Sequence, residues 1–461
     1  MAETLYLGTA TLPGAWMALA VLEQLSVHFE KHQLTPYASY FPPWAIIFVA
    51  PVFLYCHNKH YWLRKHRVYG TKPAAVYAHS EPIFGLDWLL EMINAIKVNN
   101  VLQVWHSAFS RVGSNTFWHL ATGRWIIFTC EPENLKAILA TRFDDWPIGG
   151  VRQKSTEITL GPHSIFSSNG KQWQTARALI RPSFTRNQLA DLKCQDRHVE
   201  RFLAKIPRDG SVVEMQNLLY CFTMDSATDF MFGYSTDTLV KPTEETLEFT
   251  RSFDYMLHTS TSRGRLGWLI FLLPSKQLDK SVATCKRFID RYVSQAISDS
   301  KIKERPYLFL NELLDSGASQ EQIRDQLLSM IVGGRDTTAS TLSSVFWILA
   351  RRPDLYQKAR NEISVLEGQK PTWEDLKSFK YINMILKETL RLYPAVATSL
   401  RRAARDTVLP KGGGPDGQSP LFVPKGTECR WSLYSLHRRR DTYGEDAEEF
   451  RPERWESIRT S

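Results

Sequence analysis

The stretch from Ser319 to Ala350 constrains the fold more than any other part of the chain. No proline interrupts it between Pro306 and Pro353, and its apolar residues recur at spacings of three and four, which predicts one long amphipathic helix. A helix of this length would cross a whole domain. Gly333-Gly334 lies at its middle, where each glycine costs about 1 kcal/mol relative to alanine. The sequence therefore predicts a functional reason for the glycine pair.

The remainder of the chain, from about residue 71 to residue 461, shows neither repeats nor a low-complexity linker, so we expect one continuous, mainly α-helical domain with small β-sheets. Strand-like segments occur at 125–129 (WIIFT) and 407–410 (TVLP), with a polar loop predicted between strands at 411–420. This glycine-rich loop lacks the lysine, hydroxyl residue and following helix of a phosphate-binding loop.

Composition narrows the class of protein. Of 461 residues, 43% are apolar and 12% aromatic, enough for a substantial core, and the six cysteines form no close pair of the kind that binds structural zinc. This pattern favours a reducing, cytosol-facing compartment. The net charge of +9 fits a solvated basic face, or attraction to anionic lipid and to an acidic partner protein, whereas nothing in the pattern indicates nucleic acid binding.

The N-terminal 70 residues are predicted to form a membrane anchor and a juxtamembrane segment. Residues 37–56 carry no charge and approach the length of a spanning helix, although three prolines weaken the prediction. The following basic residues should stay on the cytosolic side: Lys59, Arg64, Lys65 and Arg67. A second uncharged stretch, 5–22, has three possible placements: across the membrane, in the membrane interface, or packed against the protein. A cleavable signal peptide is the competing interpretation.

The motif GGRDTT, at 333–338, places two groups that exchange protons within one turn of the glycines. Without side chains, Gly333 and Gly334 would let a flat ligand lie against the helix. A carboxylate at Asp336 beside a hydroxyl at Thr337 suits a proton relay, because each can accept and give a hydrogen bond. The competing interpretation is a local kink, with the threonine bonded back to a helix carbonyl.

Two further pairs have the spacing of helix neighbours. Glu388 and Arg391, in ETLR, can pair at i, i+3, and Arg454 follows in FRPERW, although an isolated ExxR is common on exposed helices. Trp173 and Arg177 are spaced i, i+4 and share a helix face. A surface cation–π pair, or a core tryptophan with an extended arginine, explains the second pair equally well.

Together, GGRDTT, ETLR and FRPERW resemble the cytochrome P450 family of haem monooxygenases. GGRDTTAS, ETLRLYPAV and VPKGT are most similar to its fungal n-alkane and fatty-acid hydroxylases. The resemblance covers most of the chain after about residue 80. It implies the cytochrome P450 fold, a haem cofactor, electrons from NADPH through the NADPH–cytochrome P450 reductase, and location in the endoplasmic reticulum membrane with the catalytic domain in the cytosol.

The same resemblance assigns roles to the candidate residues. Asp336 and Thr337 become the acid and alcohol that deliver protons for cleavage of the O–O bond. Trp173, Arg177 and Arg401 bind the haem propionates, with Arg402 as the neighbouring alternative to Arg401. The haem lies against Gly333 and Gly334. The structural network comprises Glu388, Arg391 and Arg454.

The family's iron ligand is a cysteine that lies beyond FRPERW, and the sequence has no cysteine after Cys429. Cys429 falls in a strand-like run without a glycine-rich bend, and a histidine such as His437 would not donate electrons as a thiolate does. We therefore expect a domain that lacks its C-terminal part, with no thiolate ligand among the residues present. Three accounts remain: an incomplete sequence of an active enzyme, a truncated inactive product, or a non-catalytic membrane scaffold.

The expected reaction of an intact relative is insertion of one oxygen atom into a C–H bond near the end of a medium or long aliphatic chain. Oxidation of a fungal secondary metabolite with an alkyl chain is the alternative substrate class. Substrate-contacting regions, expected near 143–168 and 220–270, do not transfer by motif. The partners implied are the reductase, membrane lipid and a hydrophobic small molecule.

Overall fold

The computed structural model of the chain describes residues 43–184, 192–265, 275–298 and 309–458. The stretch 5–22 and the start of the predicted anchor lie outside these residues. The chain falls into two compact units. The first, here called the sheet unit, runs to Trp146 and includes Ser399–Leu436, and the second, the helical unit, comprises Pro147–Thr398 and the residues from His437 onward.

In the described part of the chain, seven strands form two sheets. The strands are β1 Ala75–Val76, β2 Thr116–Ala121, β3 Arg124–Thr129, β4 Thr398–Arg402, β5 Thr407–Gly413, β6 Ser419–Val423 and β7 Glu428–Ser432. The larger sheet has the order β1-β2-β3-β7-β4, and β5 pairs with β6 in a two-stranded sheet. Thr122 and Gly123 join β2 to β3 with φ angles of 50° and 77°, as a tight hairpin turn requires.

The predicted strands are confirmed with altered ends. The segment 125–129 lies within β3, and 407–410 opens β5, which continues to Gly413. The predicted loop at 411–420 is therefore too long, because both of its ends belong to strands. Ile127 and Cys429 are register partners in the parallel pair β3/β7, and both are fully buried in the core of the sheet unit.

The helices of the sheet unit are α1 Pro43–Tyr69, α2 Leu86–Lys97, α3 Val101–Val112 and α4 Pro132–Lys136, with a one-turn helix at Leu433–Leu436. Trp88 and Ala95 bury one side of α2. Among the described helices, none combines the length and the apolar character that a membrane-spanning segment needs.

The helical unit contains α5 Gly150–Leu160, α6 Gly170–Ile180, α7 Lys193–Leu203, α8 Met215–Phe232, α9 Glu244–Arg265, α10 Lys276–Ser298, α11 Phe309–Asp315, α12 Gln320–Gly334, α13 Asp336–Leu349, α14 Pro353–Ile363, α15 Trp373–Ser378 and α16 Lys380–Leu392, then a one-turn helix Arg440–Tyr443 and a 3-10 turn Pro452–Glu456. Its core forms where α9, α10 and α12 meet. Phe249 and Phe288 stack there with ring centroids 4.0 Å apart. Leu327 and Ile331 of α12 are fully buried in the same cluster.

The prediction of one continuous helix from Ser319 to Ala350 is wrong at a single residue. The side chain of Ser319 caps α12 in a reciprocal capping box with Gln322, so the predicted start is confirmed. At Arg335, with φ −79° and ψ −67°, the regular helix is interrupted, and α13 begins at Asp336. Arg335 N still donates to Ile331 O of α12 at 2.9 Å, and Ala339 N of α13 donates to Arg335 O at 3.0 Å. Backbone hydrogen bonds therefore connect both helices to Arg335.

Candidate functional site

The two glycines before the interruption face different surroundings. Among the described residues outside the helix's own backbone, a methyl group built on Gly333 would meet no atom within 4 Å, whereas one built on Gly334 would lie 3.9 Å from the Cβ of Ala227 on α8. Gly333 therefore leaves open space beside the helix, and Gly334 lies against a neighbouring helix. Of the pair, Gly333 is the residue whose missing side chain makes room for a flat ligand.

Asp336 and Thr337 open α13 and direct their side chains to different partners. The Thr337 hydroxyl donates to Gly333 O at 2.6 Å, and Asp336 Oδ1 accepts from Arg335 Nη1 at 3.0 Å. The helix kink and the back-bonded threonine of the competing interpretation are thus both present. They coexist with the proposed chemistry, because the threonine hydroxyl keeps its lone pairs and can still accept a proton.

Burial raises the pKa of the Asp336 carboxyl, and the charge of Asp254 raises it further, against the opposing effect of Arg335. Desolvation disfavours the ionised form of a carboxyl group, and a nearby like charge acts in the same direction. The side chain of Asp336 nevertheless remains 38% exposed. It is therefore a partly accessible acid that holds its proton more tightly than an ordinary aspartate.

Arg335 is a site residue that the sequence analysis missed. Its side chain is buried, and Nη1 donates to Asp254 Oδ1 on α9 at 2.5 Å as well as to Asp336. The guanidinium also lies 5.0 Å from the centroid of the Tyr220 ring and 5.6 Å from that of Phe253. One buried cation thereby joins α8, α9 and the start of α13. The only sequence signal was its place inside GGRDTT.

A cavity of about 480 Å³ opens beside this cluster. Its lining comes from α8, α9 and the helix break, and consists of Asn217, Tyr220, Asp254, Leu257, His258, Thr261, Arg335 and Asp336. Two carboxylates, an imidazole and an amide share this lining with the apolar surfaces of Leu257 and Tyr220. The cavity thus gives Asp336 a polar path to solvent on the side that Arg335 faces.

The second charged cluster, which we call the Glu388 network, is fully buried, since the side chains of Glu388, Arg391 and Arg454 are at most 1% exposed. Glu388 Oε1 accepts from Arg391 Nη2 and Arg454 Nε, both at 2.8 Å, and from the backbone N of Arg451 at 2.9 Å. Oε2 accepts from Arg391 Nε at 2.9 Å and from the indole of Trp455 at 3.0 Å. The structure thus brings together the three residues that the sequence analysis grouped, and adds Trp455.

The remaining donors of the two arginines are also used. Arg391 Nη1 donates to the carbonyls of His437 and Ala447 at 2.7 and 2.6 Å. Arg454 Nη1 donates to Tyr443 O at 2.9 Å. Burial alone would raise the pKa of Glu388, but the hydrogen bonds that its carboxylate accepts from Arg391, the Arg451 backbone and Arg454 hold that pKa below its usual value. The network ties α16 to the segment that follows His437.

The other residues predicted to bind the cofactor lie partly in the helical unit and partly in the sheet unit. On α6, the Arg177 guanidinium lies 5.4 Å from the centroid of the Trp173 ring, so the two side chains share one face as predicted. In the sheet unit, Arg401 on β4 is half-buried and lies 5.9 Å from the Trp431 ring. Its neighbour Arg402 is exposed and donates to Gly426 O at 2.8 Å. Arg402 is thus used in a local backbone contact.

All six cysteines of the chain lie among the described residues. Burial raises the pKa of Cys194 and of Cys285 to about 12, and it also raises the pKa of Cys429, which is wholly enclosed in β7. Cys130 is buried, with its sulfur 3.6 Å from Asn115 Oδ1. These environments favour the neutral thiol as long as no metal is bound.

Taken together, the fold and the acid–alcohol helix define a mainly helical oxidoreductase of the haem monooxygenase class. The chain matches the cytochrome P450 family over residues 84–460 and belongs to that family. It is 40% identical to cytochrome P450 monooxygenase FPY7 of Fusarium mangiferae over 83% of this chain and 75% of that protein. It is 39% identical to cytochrome P450 monooxygenase himC of Aspergillus japonicus, over 85% of this chain and 72% of that protein. Identity to cytochrome P450 52A3-A of Candida maltosa is 35%, over 82% of this chain and 77% of that protein.

The family uses haem, and the residues present fit part of that cofactor. The open face at Gly333 leaves room for the flat side of a porphyrin, and the arginines at 177 and 401 have the charge that its propionates require. The thiols of Cys285 and Cys429 do not fit the role of an iron ligand, because both are fully enclosed in packed cores. Within the helical unit, the described residues therefore leave room for one face of a haem at Gly333.

Proposed function

We propose that this protein is built to bind haem against α12 and α13 and to support insertion of one oxygen atom into a C–H bond of an aliphatic chain. The observation that carries the proposal is the open space at Gly333, one turn before Asp336 and Thr337. The similarity to cytochrome P450 52A3-A and the resemblance in GGRDTTAS and ETLRLYPAV support the substrate class.

Haem, when bound, supplies dioxygen activation with electrons from the NADPH–cytochrome P450 reductase. In the proposed arrangement Trp173, Arg177 and Arg401 hold its propionates, and Gly333 lies against its face. Its iron would also need a thiolate, which the enclosed thiols of Cys285 and Cys429 are not suited to supply. The direct tests of the proposal are cofactor binding and ligand binding.

The chain's own residues would conduct protons to the reacting site. Asp336 holds a proton with a raised pKa and takes its replacement from the polar cavity that it shares with His258. Arg335 fixes the direction of that carboxyl group. Thr337 would accept a proton at its hydroxyl oxygen and release the proton that it now donates to Gly333 O, so its hydroxyl must rotate away from that carbonyl during the transfer.

The glycine pair provides the sharpest test. In Gly333→Ala the added methyl enters the proposed haem space, so we expect weaker haem binding, together with a helix stabilised by up to about 1 kcal/mol. Gly334→Ala is the matched control, because its methyl faces Ala227 at an ordinary contact distance and should leave haem affinity unchanged. Haem titration followed by absorbance, and urea unfolding, measure the two effects. Equal haem affinities in the two variants would contradict the proposal.

The substrate class is tested on the haem-loaded chain. Long-chain fatty acids should perturb the haem absorption band at lower concentrations than compact polycyclic compounds of equal hydrophobicity. The carbon monoxide difference spectrum of the reduced protein should lack the thiolate-type band. A preference for the compact compounds would favour the alternative of a secondary-metabolite substrate, and a thiolate-type band would show that one of the six cysteines does ligate iron.

Membrane association is part of the proposal, with residues 1–70 as anchor and the endoplasmic reticulum as location. Support comes from α2, where apolar side chains at helical spacing are exposed on the side opposite Trp88, namely Leu86, Leu90, Ile93 and Ile96. Such a face suits the boundary between headgroups and acyl chains. Leu90→Ser with Ile93→Ser should reduce cosedimentation with phospholipid vesicles, whereas Glu91→Gln should not. Equal sedimentation of all forms would argue against a role for α2.

A further inference from the structure

Helices α7 and α8 bring together three side chains that have no place in the haem site. Cys194 and His198 are spaced i, i+4 on α7 and therefore share one face, and Asp229 projects toward them from α8. The Cys194 Sγ atom lies 3.5 Å from Asp229 Oδ2, and His198 Nε2 lies 2.7 Å from the same oxygen. The three potential ligand atoms all lie within 4.8 Å of one another.

We propose that Cys194, His198 and Asp229 form a zinc site that is separate from the haem chemistry. Sulfur, imidazole nitrogen and carboxylate oxygen together suit Zn²⁺, which binds these atoms at about 2.0–2.3 Å in tetrahedral geometry. Tetrahedral ligands at these bond lengths lie roughly 3.3–3.8 Å apart. The Cys194–Asp229 separation already falls in that interval, and the His198–Asp229 separation must widen by about half an ångström. Water fills the fourth position.

Arg197 is the group that the metal must displace. Its guanidinium forms an ion pair with the same Asp229 Oδ2, and it supplies the positive charge that a buried carboxylate needs. The Arg197 side chain is 55% exposed, whereas His198 is fully buried. Arg197 can therefore turn into solvent without leaving a cavity, and the cation takes over its electrostatic role. Cys194, which is half-buried beside it, gives the ion its path from solvent.

Zinc binding at Cys194 requires neither an oxidant nor a reductant. Zinc replaces the Cys194 thiol proton, which leaves to solvent, and no electron is transferred. His198 binds through its Nε2 lone pair, so its proton must reside on Nδ1. Among the described residues, Nδ1 is buried with no hydrogen-bond partner, and a water molecule or a small shift of the ring would have to satisfy it. The bound ion would then join α7 to α8 through three coordinate bonds.

Cobalt titration of the full chain tests the ligand set. Co²⁺, added after removal of bound metal with a chelator, should give a thiolate-to-cobalt charge-transfer band that saturates at one equivalent. Cys194→Ser should abolish the band, and Cys221→Ser, which alters another half-buried cysteine on α8, should preserve it. In known metal sites, loss of an outer hydrogen-bond partner lowers metal affinity about tenfold to hundredfold. Loss of a direct ligand costs more, so His198→Gln should lower cobalt affinity by a larger factor than that. Absence of the band, or its persistence in Cys194→Ser, overturns the proposal.

A second measurement on the unaltered chain removes any dependence on how the variants fold. Zn²⁺ should slow alkylation of Cys194 by iodoacetamide, measured peptide by peptide by mass spectrometry, without slowing that of Cys221. Mg²⁺, which prefers oxygen ligands, should protect neither cysteine. Equal alkylation rates of Cys194 with and without Zn²⁺ would show that the three residues form only a hydrogen-bonded network around Arg197.

Discussion

Two arginine–carboxylate clusters of the helical unit differ in how many hydrogen-bond donors each carboxylate receives. In the Glu388 network every carboxylate oxygen has at least two donors, and the pKa of Glu388 is lowered. Around Arg335, two acids share one cation beside an open cavity, and the pKa of Asp336 is raised. The first arrangement stabilises a fixed charge, and the second favours the protonated form of its acid more than an ordinary site does.

The largest effect should come from the closed network. Glu388→Gln leaves two buried guanidinium groups without their shared anion, and removal of one partner of a buried ion pair costs about 3–5 kcal/mol. Glu453→Gln is the control, because Glu453 pairs with the more exposed Lys358 and its loss should cost less than about 1 kcal/mol. Urea unfolding measures both variants. Similar losses would mean that the network is not what holds α16 in place.

A smaller loss is expected at the open cluster. Arg335→Met keeps much of the buried volume but removes hydrogen bonds to two charged acceptors, for an expected cost of about 1–3 kcal/mol. Asp254 and Asp336 remain partly exposed, so water can solvate them after the change. Arg352→Met, at a surface pair, should change the free energy of unfolding by less than about 1 kcal/mol. A loss as large as that of Glu388→Gln would make the Arg335 cluster a second structural network.

The two clusters should respond to pH in opposite directions. Because the pKa of Glu388 is lowered by folding, its contribution to stability is present above the unfolded pKa and is lost as pH falls through the folded pKa. The pKa of Asp336 is raised, so its contribution becomes less favourable as pH rises from the unfolded pKa through the folded one. Relative to the parent chain, Asp336→Asn should therefore gain stability with rising pH and Glu388→Gln should lose it. Urea midpoints across the acid range measure both trends, and parallel trends would contradict the assignment.

Thr337 should show the smallest effect on stability. Thr337→Val removes one hydroxyl hydrogen bond to Gly333 O, which is worth about 0.5–1.5 kcal/mol, and Thr337→Ser should retain it. Thermal unfolding monitored by circular dichroism measures the difference. A much larger loss in Thr337→Val would show that the bond holds the helix break together, instead of only fixing the hydroxyl.

Local sequence patterns predicted much of this arrangement. Periodicity predicted the capped start of α12, the strands at 125–129 and 407–410, and the shared face of Trp173 and Arg177. The i, i+3 spacing predicted that Glu388 and Arg391 would pair, and the family resemblance added Arg454. In each case the deciding interaction is either within one element or carried by a motif.

The features that were missed depend on contacts distant in sequence. Arg335 interrupts the predicted helix and is bonded to Asp254, 81 residues earlier in the chain, which helical periodicity cannot reveal. Trp455 joins the Glu388 network across 67 residues. The different surroundings of Gly333 and Gly334 depend on where α8 packs, so two identical letters in the sequence have different environments in the fold.

The interruption at Arg335 also has a consequence for local unfolding. On its N-terminal side α12 buries seven residues, whereas on its C-terminal side α13 buries only Ala339 and Ile348 and exposes Phe346 and Trp347. Free energies of local opening follow burial, so amide hydrogens should exchange slowly up to the break and faster beyond it. A single helical pattern in the sequence thus contains a boundary between two cooperative units. Asp336 and Thr337, the residues of the proposed proton relay, lie at the start of the less protected one.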